Sequence, residues 1–144
     1  MRGTAVFLIV SFALLSLACT ERQQIPSAFV GTWQSDESLT LASLSKSQDV
    51  SQSDREMFSN DFFGDRVMEF QIDRARSYFV GDKWEGVEQD MSWHRYDVVA
   101  SGPDFMTLRT PLEVVTWRIE GEHIYVELSK WDFREYWRRL EESE

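Results

Sequence analysis

The chain has 144 residues, of which 15 are basic and 25 acidic, giving a net charge of −10. Such an acidic chain repels phosphate groups, which argues against nucleic acid as a partner and disfavours anionic lipid headgroups. Its single cysteine excludes an internal disulfide, and its 14 % of aromatic residues favours a small β-rich core.

The N-terminal residues have the pattern of an export signal. Arg2 gives a basic start, residues 3–19 carry no charge, and the apolar run ends in Ser16-Leu17-Ala18-Cys19. Secretory signal peptides typically have a basic start, an apolar run that is too short to span a membrane readily, and small residues before the cleavage site. The sequence therefore predicts a signal peptide at residues 1–18. A transmembrane anchor is the alternative, and the absence of a basic cluster after the run disfavours it.

Cys19 is the predicted site of lipid attachment. The residues before it match the small-x-small pattern of ordinary signal peptidase cleavage. They also resemble a lipobox, although Ser16 stands where a lipobox usually has leucine. Buried acyl chains contribute about 0.8 kcal/mol per CH₂, enough for anchoring. We therefore expect the chain in a bacterial cell envelope, attached to a membrane by this lipid. Thr20 follows the cysteine, which is compatible with the outer membrane of a Gram-negative cell. Residues 19–28 form the lipidated cysteine and a tether, and residues 29–144 form one domain.

Two short helices are predicted after an opening strand at residues 29–33. The first is capped by Ser35-Asp36. The second, at residues 54–63, has a capping box in which Ser53 caps the free amides and Glu56 reaches back.

Period-two alternation of apolar residues begins at Arg66 and continues to the C-terminal region. Short strands at this spacing, with turn residues between them, favour an antiparallel meander. The predicted strands are residues 66–72, 77–80, 92–100, 105–109, 113–119 and 123–128.

The segment 132–140 fits either a helix or a closing strand. As a strand it places Tyr136 on one face, with Phe133 and Trp137 on the other. We favour the strand, because a meander with two open edges is prone to aggregation and closure removes the edges. The predicted fold is therefore mainly β: a small antiparallel up-and-down barrel of about eight strands. One or two short helices lie between its first and second strands.

The run Phe29-Val30-Gly31-Thr32-Trp33 resembles the opening of lipocalins and their calycin relatives. It is especially similar to the start of fatty-acid-binding proteins, which have a helical lid after the first strand. The last strand is similar to that of small bacterial lipocalin-like lipoproteins. The resemblance implies that Trp33 plugs one end of a barrel. It also implies that a late arginine, Arg138 or Arg139, packs on that tryptophan.

The same resemblance implies a binding protein for a small, mainly apolar ligand. Arg134 and Tyr136 match the Arg-x-Tyr with which fatty-acid-binding proteins hold a carboxylate, so they are the predicted ligand contacts. The alternative is an envelope interaction protein with a filled barrel and a protein partner. No catalytic motif or metal-ligand spacing is present, so we expect no enzyme, cofactor or metal, and we interpret His94 and His123 as ordinary surface or core residues.

Overall fold

A computed structural model describes residues 22–141 of the chain, so Cys19 and the predicted signal peptide lie outside the described residues. The described part has eight strands, two α-helices and one 3₁₀ turn. The elements in chain order are β1 Gly31–Ser35, α1 Glu37–Lys46, α2 Gln52–Ser59, β2 Arg66–Phe70, β3 Ala75–Phe79, the 3₁₀ turn Asp82–Trp84, β4 Asp97–Ser101, β5 Phe105–Arg109, β6 Val114–Glu120, β7 His123–Leu128 and β8 Phe133–Arg139.

All eight strands form one antiparallel sheet in the order β3-β2-β1-β8-β7-β6-β5-β4, and the sheet curls into a half-barrel. The predicted fold class is confirmed, with the two helices between the first and second strands. β3 and β4 are the two edges. A single bridge connects β3 to the segment before β4, through two 2.9 Å hydrogen bonds between the backbones of Ala75 and His94.

The last segment is a strand, as predicted, and it lies in the middle of the sheet. β8 pairs with β7 along its whole length, from Leu128 opposite Phe133 to His123 opposite Arg138. On its other side β8 pairs with β1 only near its end, where Trp33 lies opposite Arg139.

Helix α1 takes the place of a neighbouring strand along the first half of β8. The backbone N–H of Asp36 donates to the carbonyl of Tyr136 at 2.7 Å. The hydroxyl of Thr40 accepts the N–H of Tyr136 at 3.0 Å, and the hydroxyl of Ser43 accepts the N–H of Arg134 at 2.9 Å. The helix therefore supplies the hydrogen bonds that buried strand amides require.

Two apolar clusters stabilise the fold. The larger fills the concave side of the sheet and includes Trp33, Phe70 and Trp117. The smaller lies under the two helices, where Leu44 and Phe58 pack with Phe133 of β8 and other residues. None of the helices in the described range is long and apolar enough to cross a membrane.

Helix α2 begins earlier than the sequence predicts, and the predicted capping box is wrong. Ser51 is the N-cap, and its hydroxyl accepts the N–H of Asp54 at 3.2 Å. The hydroxyl of Ser53 instead lies 3.1 Å from that of Ser51. Glu56 accepts a hydrogen bond from the side chain of Gln52 and does not reach back to the cap. Both serines can cap a helix, so the sequence pattern does not distinguish between them.

The predicted strand at residues 92–100 is too long, because β4 is confined to Asp97–Ser101. The edge of β3 is already occupied by a side chain: the amide of Gln89 bonds to the backbone N–H and carbonyl of Phe79, at 2.6 and 2.9 Å. Only His94 of the preceding segment is left to pair with β3.

The opening strand also starts later than predicted. Phe29 and Val30 precede it in a turn, in which their N–H groups donate to the carbonyls of Pro26 and Ser27. Ile25, which the sequence places in the tether, is buried in the larger apolar cluster.

Candidate ligand-binding cavity

Trp33 of β1 is buried in the larger apolar cluster. Its indole N–H donates to the carbonyl of Phe29 at 2.8 Å. The guanidinium of Arg139 lies 4.2 Å from the ring centroid and donates to the carbonyls of Val30 and Ala28, each at 2.8 Å. Cation–π attraction and two charge-assisted hydrogen bonds therefore fix the chain entering β1.

Gly31 is required by this arrangement. It has φ +135°, a conformation that side chains rarely adopt, and a Cβ there would collide with the guanidinium of Arg139. The structure thus chooses between the two arginines: Arg139 packs on Trp33, and Arg138 lies beside Gln34. The side chain of Arg139 therefore contacts both positions: it lies on the ring of Trp33 and leaves no room for a Cβ at Gly31.

A cavity of about 510 Å³ lies on the concave side of the sheet. This volume is within the range of small-molecule sites, which begins at roughly 300 Å³. Trp117 and Trp137 lie on one side of the cavity in an edge-to-face pair, with ring centroids 5.5 Å apart. The lining has further apolar residues, among them Met68, Leu108, Val115 and Val126, and about as many polar or charged ones: Arg66, Thr110, Glu113, Thr116, Arg118, Glu127, Ser129 and Glu135.

Glu135 is the buried polar residue of this lining. It lies between Phe133 and Trp137 on the inward face of β8 and is 8 % exposed. The hydroxyl of Ser35 donates to its Oε1 at 2.9 Å, and this is the hydrogen bond that the described residues give to the carboxyl group. Burial raises the pKa of Glu135, against the hydrogen bond from Ser35 and the positive charge of Arg66, which lower it.

Two further polar groups lie next to Glu135. The indole nitrogen of Trp137 is buried and has no hydrogen-bond partner in the described part of the chain. Arg66 lines the cavity from β2, with its guanidinium carbon 5.7 Å from the ring centroid of Trp137. Its Nε donates to the hydroxyl of Ser77 at 3.0 Å. The carboxyl group of Glu135 and the guanidinium of the exposed Arg66 therefore both lie beside the ring of Trp137 in this cavity.

Arg134 and Tyr136, the pair predicted from the sequence, lie on the opposite face of β8, outside this cavity. They line a second cleft of about 630 Å³ between α1 and the convex side of the sheet. Their polar atoms are already paired. The hydroxyl of Tyr136 donates to Glu120 at 2.8 Å, and the guanidinium carbon of Arg134 lies 4.3 Å from the ring centroid of Tyr125. Contact between this pair and a ligand stays a prediction.

The two histidines lie near different carboxylates. His94 is 3.7 Å from Asp90, and His123 is 3.6 Å from Asp36, which also caps α1. Within residues 22–141, no three His, Cys, Asp or Glu side chains are grouped so as to hold a metal ion.

Sequence reasoning did not single out Glu135. The available signal was the strand alternation of β8, which places position 135 on the same face as Phe133 and Trp137. An acidic residue between two aromatic residues on a buried face is unusual enough to mark a site.

No family model, curated protein or solved structure matches the chain. The case for a function therefore depends on the cavity and the groups that line it.

Proposed function

We propose that this chain is an exported, lipid-anchored, lipocalin-like protein that binds a small, mainly apolar ligand inside its curled sheet, without catalysis. The cavity beside Trp117 and Trp137 carries the proposal. It combines an apolar part, formed by residues such as Trp117, Trp137 and Val126, with polar and charged residues that could orient a ligand.

Ligand binding can be tested on the full chain carrying Cys19→Ser, which removes the proposed lipid site. We expect small molecules to copurify in native mass spectrometry, or a neutral environment-sensitive dye such as Nile red to bind saturably and quench tryptophan fluorescence. A clean mass together with no dye site would contradict the proposal and favour an interaction protein with a filled barrel.

A pair of matched variants locates the site. Val115 lines the cavity, whereas Val99 is 38 % exposed on β4 and is absent from the lining. Val115→Phe should fill part of the cavity and weaken dye binding, while Val99→Phe should leave it unchanged. Equal effects of the two substitutions would place the dye elsewhere.

Membrane attachment is the second part of the proposal, and it is supported by the sequence around Cys19. Arg22 forms a 2.7 Å ion pair with Asp97, the first residue of β4. Its neighbour Tyr96 lines the cavity. Three residues span at most about 10 Å, so a lipid on Cys19 would hold this part of the domain close to the bilayer. Cys19→Ser should abolish acyl labelling and release the protein from membranes; unchanged attachment would favour the transmembrane alternative.

A further inference from the structure

We propose that the ligand carries an uncharged hydroxyl head group, which binds in the cavity between Glu135 and Arg66. This inference rests on the proposed binding function and specifies its ligand class. The geometry points to it because the polar atoms at this place have fewer partners than buried polar atoms normally have.

The carboxyl group of Glu135 has room for another hydrogen bond. Ser35 donates to Oε1, and no described residue donates to Oε2. A carboxylate accepts several hydrogen bonds, and a buried one is strongly favoured by each additional donor. A ligand hydroxyl can donate to Oε2, or can accept from it when the group is protonated.

The charges around the cavity disfavour ionic head groups of either sign. Charged residues of both signs line the cavity: Arg66, Arg118, Glu113, Glu127 and Glu135. A charged head group of either sign would therefore be attracted by one set and repelled by the other, whereas a neutral dipole is repelled by neither. A hydroxyl is such a dipole and is both donor and acceptor.

The aromatic residues beside Glu135 indicate the character of the rest of the ligand. Trp117 and Trp137 line the cavity next to the carboxyl group and offer the ligand apolar ring surface. The indole N–H of Trp137 is itself fully buried, so the polar contact of the ligand is with Glu135.

The test uses three probes of one chain length: decanol, decanoate and decylamine. Each competes with Nile red for the full chain carrying Cys19→Ser, at pH 7. We expect decanol to displace the dye at a concentration about tenfold lower than the two charged probes. Tighter binding of decanoate or decylamine would overturn the inference.

Two carboxamide variants show whether Glu135 causes the preference. Glu135→Gln keeps the shape and removes the charge, so we expect the preference for decanol over decanoate to shrink severalfold. Glu120→Gln removes an acid on the convex side, where it bonds to Tyr136, and should leave the preference unchanged. An unchanged preference in Glu135→Gln would also overturn the inference.

The outcomes for the two proposals are distinct. If Nile red binds but decanoate is preferred, the head-group inference fails and the binding function stands. If neither the dye nor any of the probes binds, the proposed function itself fails, and the inference with it.

Discussion

The two faces of β8 carry similar types of residue, but their polar atoms differ in how fully they are hydrogen-bonded. The outward face has Arg134 and Tyr136, whose polar atoms bond to each other and to Glu120. The inward face has Glu135 and Trp137, where one carboxyl oxygen and one indole N–H have no hydrogen-bond partner among the described residues. The difference supports the proposal that a ligand binds on the inward face, where Glu135 lines the cavity.

Truncating an aromatic residue on each face should give the largest difference in the free energy of unfolding. Trp137→Ala removes a fully buried side chain and should lower the free energy of unfolding by about 3–5 kcal/mol. Tyr136→Ala, on the half-buried outward face, should cost about 1 kcal/mol. Urea denaturation of the two variants measures the difference; equal costs would mean that the faces are not distinguished by burial.

A smaller effect is expected at the edge of β8 that α1 covers. Thr40→Val removes the hydroxyl that accepts the N–H of Tyr136, leaving a buried amide unpaired at a cost of about 1–3 kcal/mol. Ser45→Ala, on the exposed side of the same helix, should change stability by less than about 0.5 kcal/mol. Thermal unfolding compares the two, and a Thr40→Val variant as stable as Ser45→Ala would show that the hydroxyl is dispensable.

The charge of Glu135 should make stability depend on pH. Burial raises its pKa above that of the unfolded chain, about 4.3. The native state then binds the proton more tightly than the unfolded state. The resulting stabilisation is complete below the unfolded pKa and is lost as the pH rises through the raised native pKa.

Glu135→Gln removes this dependence, so it should be more stable than the wild type at pH 7, by about 1 kcal/mol, and lose that advantage near pH 4. Melting temperatures measured across this range test the prediction. Glu120→Gln serves as the control, and its melting temperature should change with pH in the same way as that of the wild type. A Glu135→Gln curve that also runs parallel to the wild type would contradict the assigned cause.

The smallest effect is expected on the outward face. Tyr136→Phe removes the hydrogen bond to Glu120 and the weaker one from Arg134, in a partly exposed setting, and should cost about 0.5 kcal/mol. Nile red affinity should not change, because the hydroxyl lies outside the inner cavity. A loss of Nile red affinity in this variant would indicate that the dye binds in the cleft between α1 and the convex side of the sheet.

Much of this fold follows from local pattern. Strand alternation and turn residues predict the meander. The tendency of open sheet edges to aggregate predicts that the last segment is a strand. The resemblance to lipocalins predicts that Arg138 or Arg139 packs on Trp33, and only the structure shows that it is Arg139.

The inward face of β8 could not be predicted, for a physical reason. Alternation separates Phe133 and Trp137 from Tyr136, but both faces carry aromatic and charged residues, so the pattern does not say which face is buried. That choice depends on α1, whose packing against β8 is a contact between residues about a hundred positions apart. Alternation groups Glu135 with Phe133 and Trp137, but the structure is needed to show that this face is the buried one.

The position of β8 has a consequence for how the chain folds. The last strand to be synthesised lies at the centre of the sheet and joins β1–β3 to β4–β7. Before it is available, β1 and β7 each present an unpaired edge, and the pairing of Gln34 with Arg138 must close a loop of 104 residues. Such distant contacts form slowly. The sheet therefore reaches its native order only after β8 has been synthesised, and a chain shortened before β8 would expose the unpaired edges of β1 and β7 to aggregation.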